Sequence, residues 1–203
     1  VGDVLVAGTS FADFRKSMPL YLEGLAAASE RIRDIVAHLG DFARQGVYEI
    51  SPIDVNQTIK DVITLTHSYV QKRTSRFSVS MADQQIRVRA NASRLQQVVI
   101  NIIQNACQSL ESTHDAVSVS TGLDEERQRA VIAVVDEGVG IPRDEITRIV
   151  DPFYTTHRAT GGIGLGLSVS KSIIEDLGGT IKIESREGSG TIVTVSLPLI
   201  ASK

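Results

Sequence analysis

The chain of 203 residues has no tryptophan and a single cysteine, Cys107. One thiol cannot form an internal disulfide, so an apolar core has to hold the fold, and the composition suits a reducing compartment such as the cytoplasm. No apolar run approaches the roughly 20 residues that a membrane-spanning helix needs, and nothing at the start looks like a secretion signal. An excess of positive charge is also missing. With 21 Lys and Arg against 24 Asp and Glu, the net charge of -3 gives no global attraction to nucleic acid or anionic lipid. The string G-x-x-x-x-G-K-[ST] does not occur, which excludes a Walker A loop; G-x-G-x-x-G fails too, because Leu167 stands at its third glycine. What is present, 42% hydrophobic and 22% charged residues, describes one globular domain plus an accessory element. The start at Val1-Gly2-Asp3, without methionine, suggests a piece of a longer protein.

Two patterns divide the chain near Gly46. From Met18 to Arg44, Met18, Leu25, Ile32 and Leu39 recur every seven residues, with Tyr21, Ala28, Ile35 and Phe42 as companions. Leu22, Val36 and Ala43 widen the stripe, as in a helix packed in a bundle, and Pro19 is placed at the helix start. Such a helix needs partners, from another helix or a second subunit; folding back on its own domain is the alternative. After Gly46, helices are expected from Asp54 to about Arg73, from Asn91 to Leu110 and from Leu165 to Leu177. Strands are expected at Phe77–Met81, Ile86–Arg89, Val117–Thr121, Ala130–Val135, Thr180–Ser185 and Thr191–Leu197, and the first helix is capped by a Ser51-Pro52 turn or by Asp54 itself. The sum is an α/β fold, a sheet covered on one face by helices.

Four short segments carry chemistry. On the helix after Asn91, Asn101 and Asn105 project together from the polar side, and a carboxamide oxygen is a hard ligand suited to magnesium. A solvated polar face is the plainer reading. Asp136-Glu137-Gly138-Val139-Gly140-Ile141 follows a hydrophobic strand. There a carboxylate can accept from an exocyclic amine, favouring adenine over guanine, and the glycines let backbone approach a flat base; an ordinary turn is the alternative. Gly161-Gly162-Ile163-Gly164-Leu165-Gly166-Leu167 runs into a helix, offering unpaired N–H groups to phosphate, or else is simply a flexible loop. Between these lies Asp151-Pro152-Phe153-Tyr154-Thr155-Thr156-His157-Arg158, where His157 and Arg158 are candidate phosphate contacts and Phe153 is an anchor or packing.

In this order the segments resemble the N, G1, F and G2 boxes of sensor histidine kinases, and the likeness continues through Gly188-Ser189-Gly190-Thr191 to Pro198. It looks like the catalytic domain of the superfamily shared with DNA gyrase, Hsp90 and MutL. The heptad helix, with Glu30-Arg31-Ile32 and Asp41-Phe42-Ala43-Arg44, is similar to the second helix of the dimerisation hairpin in nitrogen-regulator-type kinases.

The resemblance implies a two-layer α/β sandwich over residues 47–203, preceded by part of a dimerisation and phosphotransfer hairpin in residues 1–46. It implies ATP and Mg2+ as cofactors, with Asn105 on the metal and Asn101 assisting. Asp136 would read the adenine amine beside Gly138, Gly140, Ile141 and Thr191. Gly162, Gly164, Leu165, Gly166 and Leu167 would line the phosphates, and residues between Pro142 and Gly161 would form a lid. Implied partners are a response regulator receiver domain and a second copy of the parent protein, with membrane contact only through sequence outside this chain. Hydrolysing relatives have a glutamate where Asn101 stands, so the expected reaction is transfer to a histidine, not to water. None of His38, His67, His114 or His157 lies in the expected acceptor context, so the acceptor is expected elsewhere. Ile163 and His157 replace residues common in the family at those positions.

Overall fold

The computed structural model describes residues 5–6, 9–10, 13–22, 24–25, 29, 49–155 and 164–200. It comprises two compact units, Val1–Gln45 and Gly46–Lys203. In the first, β1 (Leu5–Val6) pairs antiparallel with β2 (Thr9–Ser10). A helix, α1, runs over residues 13–22. Ser10 caps it: its Oγ accepts from the Asp13 N–H at 3.2 Å and donates to the Asp13 carboxylate at 2.8 Å. Because the cap lies this far upstream, Pro19 sits inside the helix and not at its start, and deprives the Arg15 carbonyl of its usual donor. Met18, Tyr21, Leu22 and Leu25 are exposed. The later heptad positions and His38 lie outside the described residues.

The second unit contains β3 (Ser51–Asp54), α2 (Val55–Gln71), β4 (Arg76–Ser80), β5 (Arg87–Ala90) and α3 (Ala92–Gln108). It continues with β6 (Ala116–Asp124), β7 (Arg129–Asp136), α4 (Gly166–Asp176), β8 (Thr180–Ser185) and β9 (Thr191–Pro198). Five strands form one mixed sheet in the order β4-β6-β7-β9-β8, with β4 and β6 parallel and the other neighbours antiparallel. Ser51-Pro52 is a strand, not a turn: β3 pairs with β5 in a separate two-stranded sheet, where Pro52 opposes Arg89. A two-stranded ribbon has only edges, so the missing proline N–H costs no ladder bond on its open side. The short strands β4 and β5 therefore do not pair with each other.

Local signals place the helices. Asp54 caps α2 through the Asn56 N–H at 2.9 Å, and Asn91 caps α3 through the Arg94 N–H at 3.0 Å, each satisfying a donor that the first helical turn leaves free. α4 ends at Gly178, whose φ of +68° is the left-handed stop that glycine adopts without penalty. On α3, Leu95, Val98, Val99, Ile102, Ile103, Ala106 and Cys107 are buried. They join Val55, Ile59 and Val62 of α2, Ile173 and Ile174 of α4, and Val117, Val119, Ile132 and Val134 of the sheet in one core. Each large aliphatic side chain buried there contributes about 1.5–3 kcal/mol. Burial also pushes the Cys107 thiol up to about 11, which keeps it protonated and unreactive. Among the described residues, no helix is long and apolar enough to cross a membrane.

Candidate functional site

α3 is the element on which the site is organised. Its apolar stripe is held in the core, so its polar residues are carried along the edge that faces α4 and the end of β7. Near its middle, Asn101 donates from Nδ2 to Ser170 Oγ of α4 at 3.1 Å. A Cβ on Gly166 would collide with Asn101 Oδ1. With Asn101 in this position, glycine at the first residue of α4 is what lets the Asn101 side chain lie against that helix. Just past the other end of α3, Ser109 donates its N–H to the Asn105 carbonyl at 3.1 Å, and its Oγ lies 3.0 Å from Asp136 Oδ1. From Asn101 to Ser109 the helix rises about 12 Å, with Asn105 halfway between. The Asn105 side chain is exposed, whereas Asn101 is half-buried.

Asp136 is the last residue of β7 and is 6% exposed. Its Oδ1 also accepts from the Gly138 N–H at 2.9 Å. Burial pushes this carboxyl above its ordinary value of 3.8, against the opposing pull of the Gly138 N–H, the Ser109 hydroxyl and the Thr191 N–H. Next to it, Glu137 accepts through Oε2 from the Arg76 guanidinium and the Ala116 N–H, both at 2.9 Å.

The glycines after Asp136 each have a structural reason. A Cβ at Gly138 would strike Ser109, and one at Gly140, where φ is +68°, would strike the Arg186 carbonyl. The loop is thus pressed against the end of α3 on one side and the β8–β9 turn on the other. Ile141 donates its N–H to Ser185 Oγ at 2.8 Å, and Ser185 in turn contacts Thr191 Oγ1 at 2.9 Å. Thr191 is buried and opposes Asp136 across the β7–β9 ladder.

At the other end, Gly164 adopts φ +74° and packs so closely on the Tyr154 carbonyl that no Cβ fits. Its own carbonyl accepts from the Phe153 N–H at 2.8 Å. Phe153, with φ +67°, is 59% exposed and outside the core. Tyr154 stacks under Arg148, the guanidinium carbon 4.7 Å from the ring centroid. The Leu165 side chain is buried, which leaves only its backbone to meet a ligand, and no side chain caps the first turn of α4. Gly166 and Leu167 open that helix, so its free N–H groups and positive dipole end are available to an anion. His157, Arg158 and Gly162 lie outside the described residues.

The structure thus joins Asp136, Gly138, Gly140, Ile141 and Thr191 at one end of α3, and sets Gly166, within the Gly164–Leu167 segment that opens α4, against Asn101 at its middle. Sequence reasoning missed Ser109 and Ser185. Ser109 stands four residues after Asn105, the spacing that continues one helical face, and this signal could have found it. Ser185 is found only from strand register.

A helix-backed mixed sheet with an acidic residue closing one strand and an uncapped, glycine-led helix beyond it is the architecture of a two-layer α/β domain with an anion-accepting helix end. The chain belongs to the histidine kinase-, DNA gyrase B- and HSP90-like ATPase family, whose model matches residues 90–201. Within that family its similarity is to sensor histidine kinases. The sensor histidine kinase ZraS of Salmonella typhimurium is 31% identical over 179 residues, covering 87% of this chain and 37% of that protein. The catalytic domain of histidine kinase ThkA superposes with a TM-score of 0.64 at 30% identity, covering 74% of this chain and 95% of that one. ThkA in complex with response regulator protein TrrA gives 0.72 at 26% identity, over 89% of this chain and 51% of that one. The chain carries an ATP-binding histidine kinase catalytic domain and spans just over a third of the length of the curated relative.

Proposed function

We propose that this domain holds ATP with Mg2+ and passes the γ-phosphate to a histidine presented by a helix outside it, for onward transfer to a response regulator receiver domain. The observation that carries this reading is the spacing along α3. One helix touches Asp136 through Ser109 at its end, holds Gly166 at the α4 N-terminus through Asn101, and exposes Asn105 between them. A base held at Asp136 and phosphates held at α4 would lie along this helix, with Asn105 beside the chain that joins them.

In this reading Asp136 accepts from the adenine amine, with Gly138, Gly140 and Ile141 shaping the wall of the base pocket and Thr191 beside the carboxylate. The backbone of Gly162, Gly164, Leu165, Gly166 and Leu167 surrounds the phosphates, with His157 and Arg158 as further phosphate contacts. Among the described residues no group of three or more His, Cys, Asp or Glu could hold a metal. A magnesium ion here would therefore rest on the Asn105 carboxamide oxygen, phosphate oxygens and water, a hard-oxygen set that suits it. Bound there, it would supply neutralisation of phosphate charge. Asn101 is a carboxamide and takes no proton from water at neutral pH, so no base stands at that position, which favours transfer over hydrolysis.

The solved complex of ThkA with its response regulator supports the onward step for this chain. The exposed apolar residues of α1 support a dimer formed through the N-terminal helical region, residues 1–46, with the catalytic domain from residue 47. Membrane attachment of the parent protein would come through sequence outside this chain, leaving this domain in the cytoplasm. Calorimetry with ADP, with and without Mg2+, on the native chain and on Asp136→Asn tests the reading. Magnesium-dependent binding that Asp136→Asn weakens at least about tenfold is expected, as for a lost hydrogen bond to a charged group. Equal binding by both proteins refutes it.

A further inference from the structure

Three side chains form a row across the end of the sheet. Asp136 on β7 opposes Thr191 on β9, and Thr191 opposes Ser185 on β8. Residues paired in this way across neighbouring strands lie side by side on one face. Ser185 Oγ makes three close contacts: the Ile141 N–H at 2.8 Å, the Gly190 carbonyl at 2.8 Å and Thr191 Oγ1 at 2.9 Å. A hydroxyl has one hydrogen to give and two lone pairs to receive. The Ile141 N–H can only donate, and the Gly190 carbonyl can only accept. Ser185 must therefore spend its one hydrogen on Gly190, since otherwise two oxygens would face each other at 2.8 Å with none between them. The Thr191 contact then needs its hydrogen from Thr191. The direction of the chain is set: Thr191 donates to Ser185, and Ser185 donates to Gly190.

We infer that Ser185 is a positioning residue for base selection: by taking the Thr191 hydrogen, it leaves Thr191 only lone pairs to offer the base pocket. Asp136, its neighbour in the row, is likewise an acceptor when ionised. Two adjacent acceptors call for a group with hydrogens to give, such as the amine at position 6 of adenine or a water held by it. A 6-oxo purine places a third acceptor at position 6, keeps its one nearby hydrogen on N1, and is disfavoured. This rests on the adenine reading of Asp136 and extends it from one residue to the whole row. Ser185 touches no ligand in this scheme; it acts through Thr191.

The test compares ADP with inosine diphosphate, which carries oxygen where ADP carries the amine, on the native chain with Mg2+ present. Ser185→Ala frees the Thr191 hydrogen to turn toward the base. The ratio of the two dissociation constants should narrow about five- to tenfold, the equivalent of one ordinary hydrogen bond, whatever happens to affinity in general. Ser185→Thr keeps the hydroxyl and should keep the native ratio. In a Thr191→Val background, Ser185→Ala should change the ratio no further. If Ser185→Ala does not fold, Ser185→Cys, with a thiol that donates and accepts only weakly, should narrow the ratio in the same way. An unchanged ratio in folded Ser185→Ala or Ser185→Cys, with native preference for ADP intact, overturns the inference alone. So does an equal effect in the Thr191→Val background, which would mean that Ser185 acts by anchoring the Ile141 loop. A native chain that does not prefer ADP overturns the adenine reading and the inference with it.

Discussion

Ser109 and Asp136, 27 positions apart in sequence, meet with Oγ 3.0 Å from Oδ1 at the junction of α3 and β7. The Ser109 hydroxyl, whose one hydrogen is shared between the Ala106 carbonyl at 2.8 Å and this carboxylate, helps to keep the buried group charged, and burial still holds it above its ordinary value of 3.8. If the charged form accepts from the ligand amine, affinity for ADP falls as pH drops through this raised value. Ser109→Ala removes one stabilising donor and moves the midpoint further up. Dissociation constants for ADP measured across acidic pH check both statements; a midpoint unmoved by Ser109→Ala counts against them.

The same carboxyl has a stability signature with a definite sign. Because its folded value is raised, Asp136 holds a proton more tightly in the folded state than in the unfolded one. Stability contributed by this group therefore falls as pH rises from the unfolded value toward the folded one, and the full cost of the buried charge is present above it. Asp136→Asn removes the charge and keeps an oxygen for Ser109 and Gly138. Without nucleotide, its thermal midpoint at pH 7 should be no lower than the native one, and its advantage should shrink as pH falls toward 4. A variant melting several degrees lower at pH 7 would refute this.

Asn105 is exposed and lies outside the core, so Asn105→Ala should leave stability within about 0.5 kcal/mol. Its effect is expected on the metal alone. The gain in ADP affinity that Mg2+ gives the native chain should be lost, while binding without the metal stays close to native. Calorimetry with and without Mg2+ separates the two. Equal losses in both conditions would place Asn105 on the nucleotide itself.

Asn101 is tied to Ser170, whose own hydrogen goes to the Gly166 carbonyl at 2.8 Å. Ser170 can therefore only accept from Asn101. Asn101→Asp keeps the shape but sets acceptor against acceptor, and should destabilise the domain by about 1–3 kcal/mol. In a Ser170→Ala background the loss should be much smaller, as urea unfolding of the four proteins would show. A glutamate at this position would meet the same contact with Gly166, so Asn101→Glu should loosen the α3–α4 junction whether or not it gives water a base.

Sequence alone determined the elements whose signals are local. Apolar spacing on α2, α3 and α4, the capping residues Asp54 and Asn91, and glycine at 178 are read within a few residues, because a helix is closed by bonds between near neighbours. Alternation on β6, β7, β8 and β9 is equally local. The grouping of Asn105, Asp136 and the glycine-led helix came from motif order, which records a shared architecture without showing it. Tertiary structure decided what depends on pairing between distant residues. Pro52 belongs to a strand only because β5 lies beside it, and β4 runs parallel to β6 and not beside β5. Gly138 and Gly166 answer to Ser109 and Asn101, which no short window of sequence sets next to them. Ser185 and Thr191 stand in one row with Asp136 because three strands align in register, and register is a property of the sheet, set by packing over its full length.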